Sequence, residues 1–377
     1  MTRASRGPAI GFARALSLII ATVSLLLPHM VSAADIPTFA VEPSWPKQLP
    51  NNWILGQVGG ITVDANGHIW VIHRPRSLTD DEKGAALNPP RSKCCIPAPP
   101  VLEFDTDGNL LRAWGGPGPG YEWVGREHGI EVDDRGFVWI GGNADNDNAI
   151  LKFTLDGTFV AQIGSIAPSK GSNDTTQLGK PAETAIDKDA NEIYVADGYG
   201  NRRVIVFDAT TLAYKRHWGA YGHVPDDTRQ PPYDPKAPVA QQFGNPVHCV
   251  KIADDGLVYV CDRINDRIQV FKKDGTFVTE WFFEKTTLGN GAVWDIAIWP
   301  DPKQTYLLSA DGENNEIRII RRDDGSVVGS FGHNGRNAGQ FHWVHAMAVD
   351  KSGNVYTAEV DTGKRIQKFR LTSDALR

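Results

Sequence analysis

Cysteine is scarce in this chain of 377 residues: Cys94, Cys95, Cys249 and Cys261 are the only four. Four thiols are too few to staple so long a chain, and no CxxC pair exists to build a zinc finger. Basic charge is short as well, with 39 Lys and Arg against 45 Asp and Glu. A net charge of −6 gives no overall basic field, so nucleic acid is not an expected partner. No long apolar run occurs after residue 33, which excludes a later membrane span. An apolar share of 41% with 22% charged residues excludes a disordered chain.

The one extended apolar run lies at the N-terminus. Arg3, Arg6 and Arg14 precede 13 residues, 15–27, and Val31-Ser32-Ala33 offers small side chains for cleavage. A spanning helix needs about 20 apolar residues, so residues 1–33 read as an export signal rather than an anchor. Residues 34–377 are then expected as a single exported domain, periplasmic or secreted. In an oxidising compartment a Cys249–Cys261 bridge between paired strands is one reading, and unpaired thiols are the other. The pairing of Cys94 and Cys95 stays open.

Glycine and proline, 38 and 24 residues, punctuate a repeat. A turn followed by a β-rich run recurs six times: DANGHIWVIHR (64–74), DDRGFVWIGG (133–142), DKDANEIYVAD (187–197), ADDGLVYVCD (253–262), DPKQTYLLS (301–309) and DKSGNVYTAE (350–359). Each follows a short apolar segment, which makes a tight two-stranded hairpin. A second hairpin type alternates with it, as in VLEFDTDGNLLRAWG (101–115), ILKFTLDGTFVAQIG (150–164) and IQVFKKDGTFVTEWF (268–282), with further copies at 204–219 and 317–332. The last copy, 366–370, has only its first strand, and residues 38–45 can supply the missing one. Repeats of roughly 40–60 residues, one strand short at one end, predict an all-β fold: a six-bladed β-propeller closed by an N-terminal strand. The segments YVADGYGNRRVIVF (194–207) and YVCDRINDRIQVF (259–271) resemble the NHL-repeat propeller family, and the resemblance covers nearly all of residues 34–377.

Aligning the units on their turn residues (Asp64, Asp133, Asp187, Ala253, Trp299, Asp350) sets a common register. Five residues upstream stand Gly59, His128, Ala182, His248, Trp294 and His345. Histidine thus occupies alternate units, which in a six-bladed ring lie about 120° apart. The position opens each innermost strand, so the three imidazoles are expected to converge on the axis. Three imidazoles leave a tetrahedral metal one open position, the arrangement of a catalytic zinc site. The plain alternative is a hydrogen-bonded cluster of channel histidines. His68, His73, His217, His223, His333 and His342 fall outside the register and are expected on the surface or in loops.

Strand direction places the ends of the second strands on the histidine face. Those ends carry Arg74, Tyr199 and Arg263, and the two arginines share one repeat position. Guanidinium groups beside a Lewis acid suit an anionic substrate, and a tyrosine there can transfer a proton. Against this, each arginine could simply pair with a neighbouring blade's aspartate. The Pro-rich insertions 77–100 and 220–246 lie on the same face, as binding rims do.

These residues together resemble the peptidyl-α-hydroxyglycine α-amidating lyases. The resemblance implies that His128 in GREHGIEVD, His248 in NPVHCVKI and His345 in FHWVHAMAVD are zinc ligands. It implies catalytic and substrate-binding roles for Arg74 in VIHRPRS and Arg263 in CDRINDRIQVF, and a catalytic role for Tyr199 in ADGYGNRR. Trp343 stands where the family has a substrate-pocket methionine. Ala346 stands where the family has an acidic residue used for calcium, so the calcium site lacks that ligand, and the family's disulfide cysteines are not reproduced. No monooxygenase partner domain is expected ahead of the propeller, so nothing in this chain is expected to make a hydroxyglycine substrate. The expectation is an exported zinc lyase cleaving a carbinolamide or similar hemiaminal-type C–N or C–O bond in a small or peptide-derived, anionic substrate. Two other readings stay open. One is a lactonase-like hydrolase using calcium and Glu127, Glu183 and Asp295; the other is a binding module without catalysis.

Overall fold

The computed structural model describes residues 36–376, together with residues 1, 2, 4 and 7. The expected export signal, residues 1–33, lies outside the described residues apart from those four positions.

In blades one, two and six the repeat begins with a turn that its own aspartate builds. Asp64 Oδ1 accepts from the backbone N–H groups of Asn66 and His68 at 2.9 Å, and Oδ2 accepts from the Trp70 indole at 3.1 Å. Asp133 does the same for Arg135, Phe137 and Trp139, and Asp350 for Ser352, Asn354 and Tyr356. One short side chain therefore closes the turn and anchors an aromatic ring early in the returning strand.

Six such hairpins extend into six four-stranded antiparallel sheets. The innermost strands are Gln57–Val63, Glu127–Val132, Glu183–Asp187, Val247–Ile252, Asp295–Ile298 and Val344–Val349, for blades one to six. Second strands such as Ile69–Arg74 and Glu192–Asp197 are buried at every residue, because neighbouring blades cover both of their faces. Fourth strands such as Phe159–Gly164 are partly exposed. Blade packing is apolar: Tyr194, Val204 and Val206 of blade three meet Val250, Val258 and Phe271 of blade four. Blade six takes its outermost strand from the other end of the chain, with Phe39 opposite Leu371 and Val41 opposite Phe369. Among the described residues the helical pieces are short 3-10 turns, and no helix is long and apolar enough to cross a membrane.

An ion pair locks most blades near the site face. Asp197 pairs with Arg203 at 2.9 Å, Asp262 with Arg267 at 2.7 Å and Glu359 with Arg365 at 2.6 Å; Asp311 pairs likewise with Arg318. These acids end the second strands, and Asp197 and Asp262 also accept from Gly179 and Gly244 of the incoming connections. In blade one this position is His73, which is fully buried rather than in a loop or on the surface as expected. Its Nδ1 accepts from Gly56 N–H at 3.1 Å and its Nε2 meets the Pro99 carbonyl at 3.0 Å. Burial holds its pKa down to about 4, so the neutral ring caps the incoming connection where other blades use an acid.

Candidate metal centre

The innermost strands of blades two, four and six each bulge where the register places histidine. In blade four the pairing steps from Val247–Asp262 to Cys249–Cys261, leaving His248 as the extra residue. In blade six it steps from Val344–Glu359 to Ala346–Ala358 around His345. In blade two it steps from Glu127–Gly142 to Ile130–Ile140 around His128 and Gly129. A bulge re-aims its extra side chain, here toward the axis. Cys249 and Cys261, directly paired beside this bulge, form a disulfide with Cα atoms 4.8 Å apart; Cys94 and Cys95 form another.

The three rings meet on the axis. Their centroids are 5.0 Å apart for His128–His248, 4.7 Å for His128–His345 and 4.8 Å for His248–His345. One nitrogen of each lies within 4.8 Å of one nitrogen of each of the others, and all three residues are buried. Two rings are oriented from behind. His128 Nδ1 donates to the Ala182 carbonyl at 2.8 Å, and His248 Nδ1 donates to the Trp294 carbonyl. Ala182 and Trp294 are the same register position in the next blades, so the repeat itself supplies the acceptor. With Nδ1 protonated, Nε2 is left as the free lone pair. Burial foremost, and then Arg74 for His128, Arg263 for His248 and His128 for His345, hold all three well below the usual histidine range. The rings are therefore neutral near pH 7, the state a metal requires. His345 Nδ1 is buried with no partner. Three neutral, buried imidazoles, one of them unpartnered, are a donor set that fits zinc.

Tyr199 reaches the same point. Its hydroxyl is 2.9 Å from His128 Nε2 and 3.1 Å from His248 Nε2, and Arg263 Nη1 donates to it at 3.3 Å. Gly198 permits this approach: an added Cβ would lie 2.0 Å from the Val247 carbonyl oxygen and 2.2 Å from its nitrogen. Arg263 lies over the Trp294 ring at 4.7 Å, and its Nε is buried without a partner. Arg74 donates from Nε to the Glu127 carbonyl at 2.7 Å and from Nη1 to Gln57 Oε1 at 2.8 Å. Burial and Arg126 bring its pKa down to about 10, so it stays cationic at neutral pH. Among the described residues neither arginine forms an ion pair with a carboxylate, unlike Arg203, Arg267 and Arg365. Trp343 packs its ring 5.4 Å from Trp294, with its backbone at φ 53° and its N–H held by Asn315 Oδ1 at 2.7 Å. A bulky residue in that left-handed region is strained, as residues lining sites often are.

Sequence reasoning gave no role to Trp294 or Gln57. Trp294 was visible as the bulky one of three non-histidines in the register, and Gln57 only through its pairing opposite Arg74. Of the acids named for a hydrolase, Glu183 and Asp295 lie close together but Glu127 stands apart from them. Glu127 accepts from the Trp123 indole and from Arg76, both at 2.9 Å, whereas Glu183 and Asp295 lie below the histidines around a chamber of about 20 Å³. Calcium favours six to eight oxygens. Here the oxygens of Glu183 and Asp295 are engaged by Lys251 and backbone N–H groups, and Ala346 has no side-chain oxygen to add. The residues do not fit calcium.

A ring of six four-stranded blades with three histidines on its axis defines the class: an NHL-type six-bladed β-propeller with a three-imidazole centre. No family model matches the chain. The human NHL repeat-containing protein 3 is 30% identical over 285 residues, 72% of this chain and 72% of that protein. The probable peptidyl-alpha-hydroxyglycine alpha-amidating lyase pgal-1 of Caenorhabditis elegans is 24% identical over 329 residues, 84% of this chain and 83% of that one. A solved streptogramin B lyase structure aligns with a TM-score of 0.51 at 15% identity, over 90% of this chain and 100% of its own, a likeness of fold alone. The chain belongs to the NHL repeat-containing proteins, and its distant relatives include an amidating lyase.

Proposed function

We propose that this protein is an exported, zinc-dependent lyase that cleaves an anionic carbinolamide of the peptidyl-α-hydroxyglycine type into an amide and glyoxylate. The observation that carries this reading is the meeting of three buried imidazoles with the hydroxyl of Tyr199 at 2.9 and 3.1 Å from two of them. His128, His248 and His345 would hold the zinc, whose chemistry when bound is Lewis-acid stabilisation of negative charge developing on oxygen.

The chain's own groups account for the rest. Arg74 and Arg263 lack carboxylate partners and so can receive the substrate's carboxylate, Arg74 from a guanidinium already fixed by Gln57 and the Glu127 carbonyl. As the C–N bond breaks, the carbinol hydroxyl loses a proton and the departing amide nitrogen gains one. Tyr199 Oη is the proton carrier between them, steadied by the Arg263 hydrogen bond. Trp294 and Trp343 form an apolar wall that keeps water from this exchange. The test is glyoxylate release from an α-hydroxyglycine derivative before and after complete metal removal. Activity should vanish with the metal and return with zinc; activity untouched by its removal would overturn the reading. The same experiment separates this reading from the hydrolase and from the binding module.

A further inference from the structure

Beneath the histidines the channel closes on a half-buried cluster to which every innermost strand contributes. Lys251 of blade four places its ammonium between Glu183 of blade three, which it bonds directly, and Asp295 of blade five, whose Oδ1 is 3.7 Å away. The remaining carboxylate oxygens are also engaged. Glu183 Oε2 accepts from Val250 N–H at 3.0 Å, Asp295 Oδ1 from Ile296 N–H and Oδ2 from Met347 N–H of blade six, both at 2.8 Å. Glu131 of blade two accepts from the Thr62 hydroxyl of blade one at 3.0 Å. The cluster separates the small chamber below the histidines from a wider funnel of about 220 Å³ at the opposite end, lined in part by Thr62, Glu131 and Lys251.

We infer that Lys251 is a built-in axial cation, doing with its own ammonium what a bound structural metal ion would do in tying the inner strands together across the channel. Only one divalent ion, that of the histidines, then belongs to this chain. The inference stands whether or not the histidine centre is a lyase. An ammonium suits the place because its three N–H donors can serve several blades at once. Burial opposes its charge, but Asp295, Glu183 and Glu131 together hold it above the ordinary lysine range. The carboxylates in turn are crowded around one cation. Burial and Asp295 push Glu183 up to about 8, and burial pushes Glu131 up to about 7.

The test compares the purified protein with Lys251→Met and Lys251→Arg, by calcium uptake in equilibrium dialysis and by Tm with and without calcium chloride. At roughly 1 mM calcium, where extracellular modules bind it, the unaltered protein should take up none and its Tm should not move. Lys251→Met, left with clustered carboxylates and no cation, should melt about 10 °C lower and regain part of the loss with calcium. Lys251→Arg should keep the parent's indifference to calcium. One calcium per unaltered chain, or Lys251→Met melting with the parent, would overturn the inference. If Lys251→Met does not fold, uptake by the parent and by Lys251→Arg still decides.

Discussion

Tyr199 carries the sharpest consequence for single residues. Its hydroxyl lies within hydrogen-bond reach of two ring nitrogens and a guanidinium. Tyr199→Phe keeps the ring and removes the proposed proton carrier, so kcat for glyoxylate release should fall about 10² to 10⁴-fold while metal content stays constant. Unchanged kcat would remove the tyrosine from the mechanism. His73 leads to a stability prediction instead. Its pKa is lowered by burial from 6.5 to about 4, so between those values the unfolded chain binds the extra proton. Its contribution is full above pH 6.5 and is lost as pH falls toward 4, on the order of 3 kcal/mol in total. His73→Gln, which stays neutral, should show a smaller fall in Tm from pH 7 to pH 5 than the parent. The three axial histidines are legible in sequence because the turn that opens each repeat supplies an origin for counting. His73 is not, because a ring standing in for an acid looks like any other histidine in a strand. The absence of an arginine from Val101–Phe104, blade one's third strand, was the available signal.

The elements around the site are set by backbone proximity. The loop from Gly198 onward lies so close to Val247–Ile252 that only glycine fits, and this closeness brings Tyr199 to His248. Gly198→Ala should therefore push the loop outward and lower kcat at least tenfold with little change in KM, by the sensitivity of proximity effects to displacement. Equal kcat in the variant would show that the loop yields. Strand pairing was readable from the repeat, since Asx turns, aromatic anchors and alternating apolar residues recur. The bulges were not readable, because an extra residue is defined only against the partner strand. Without them His248 and His345 would follow the simple alternation of a strand. The register therefore indicated which residues align, and the bulges account for why those side chains face inward.

The whole ring closes through two segments from opposite ends of the sequence, Phe39–Val41 and Ile366–Leu371. Removing residues 36–45 should leave blade six with an unpaired edge over Phe369 and Trp299, which now pack with Phe331 and Phe39. The truncated protein should aggregate or melt well below the parent, and the loss should reach the axis because His345 belongs to that blade. Metal content of the truncated protein, compared with the parent, checks this; full retention of metal would show that blade six stands without its last strand. The three imidazoles sit on strands far apart in the chain, and no single blade supplies two of them. An ion held by all three would therefore act as a certificate of assembly: it would need blades two, four and six side by side, so a half-made chain lacking blade six would not gather its full set of ligands.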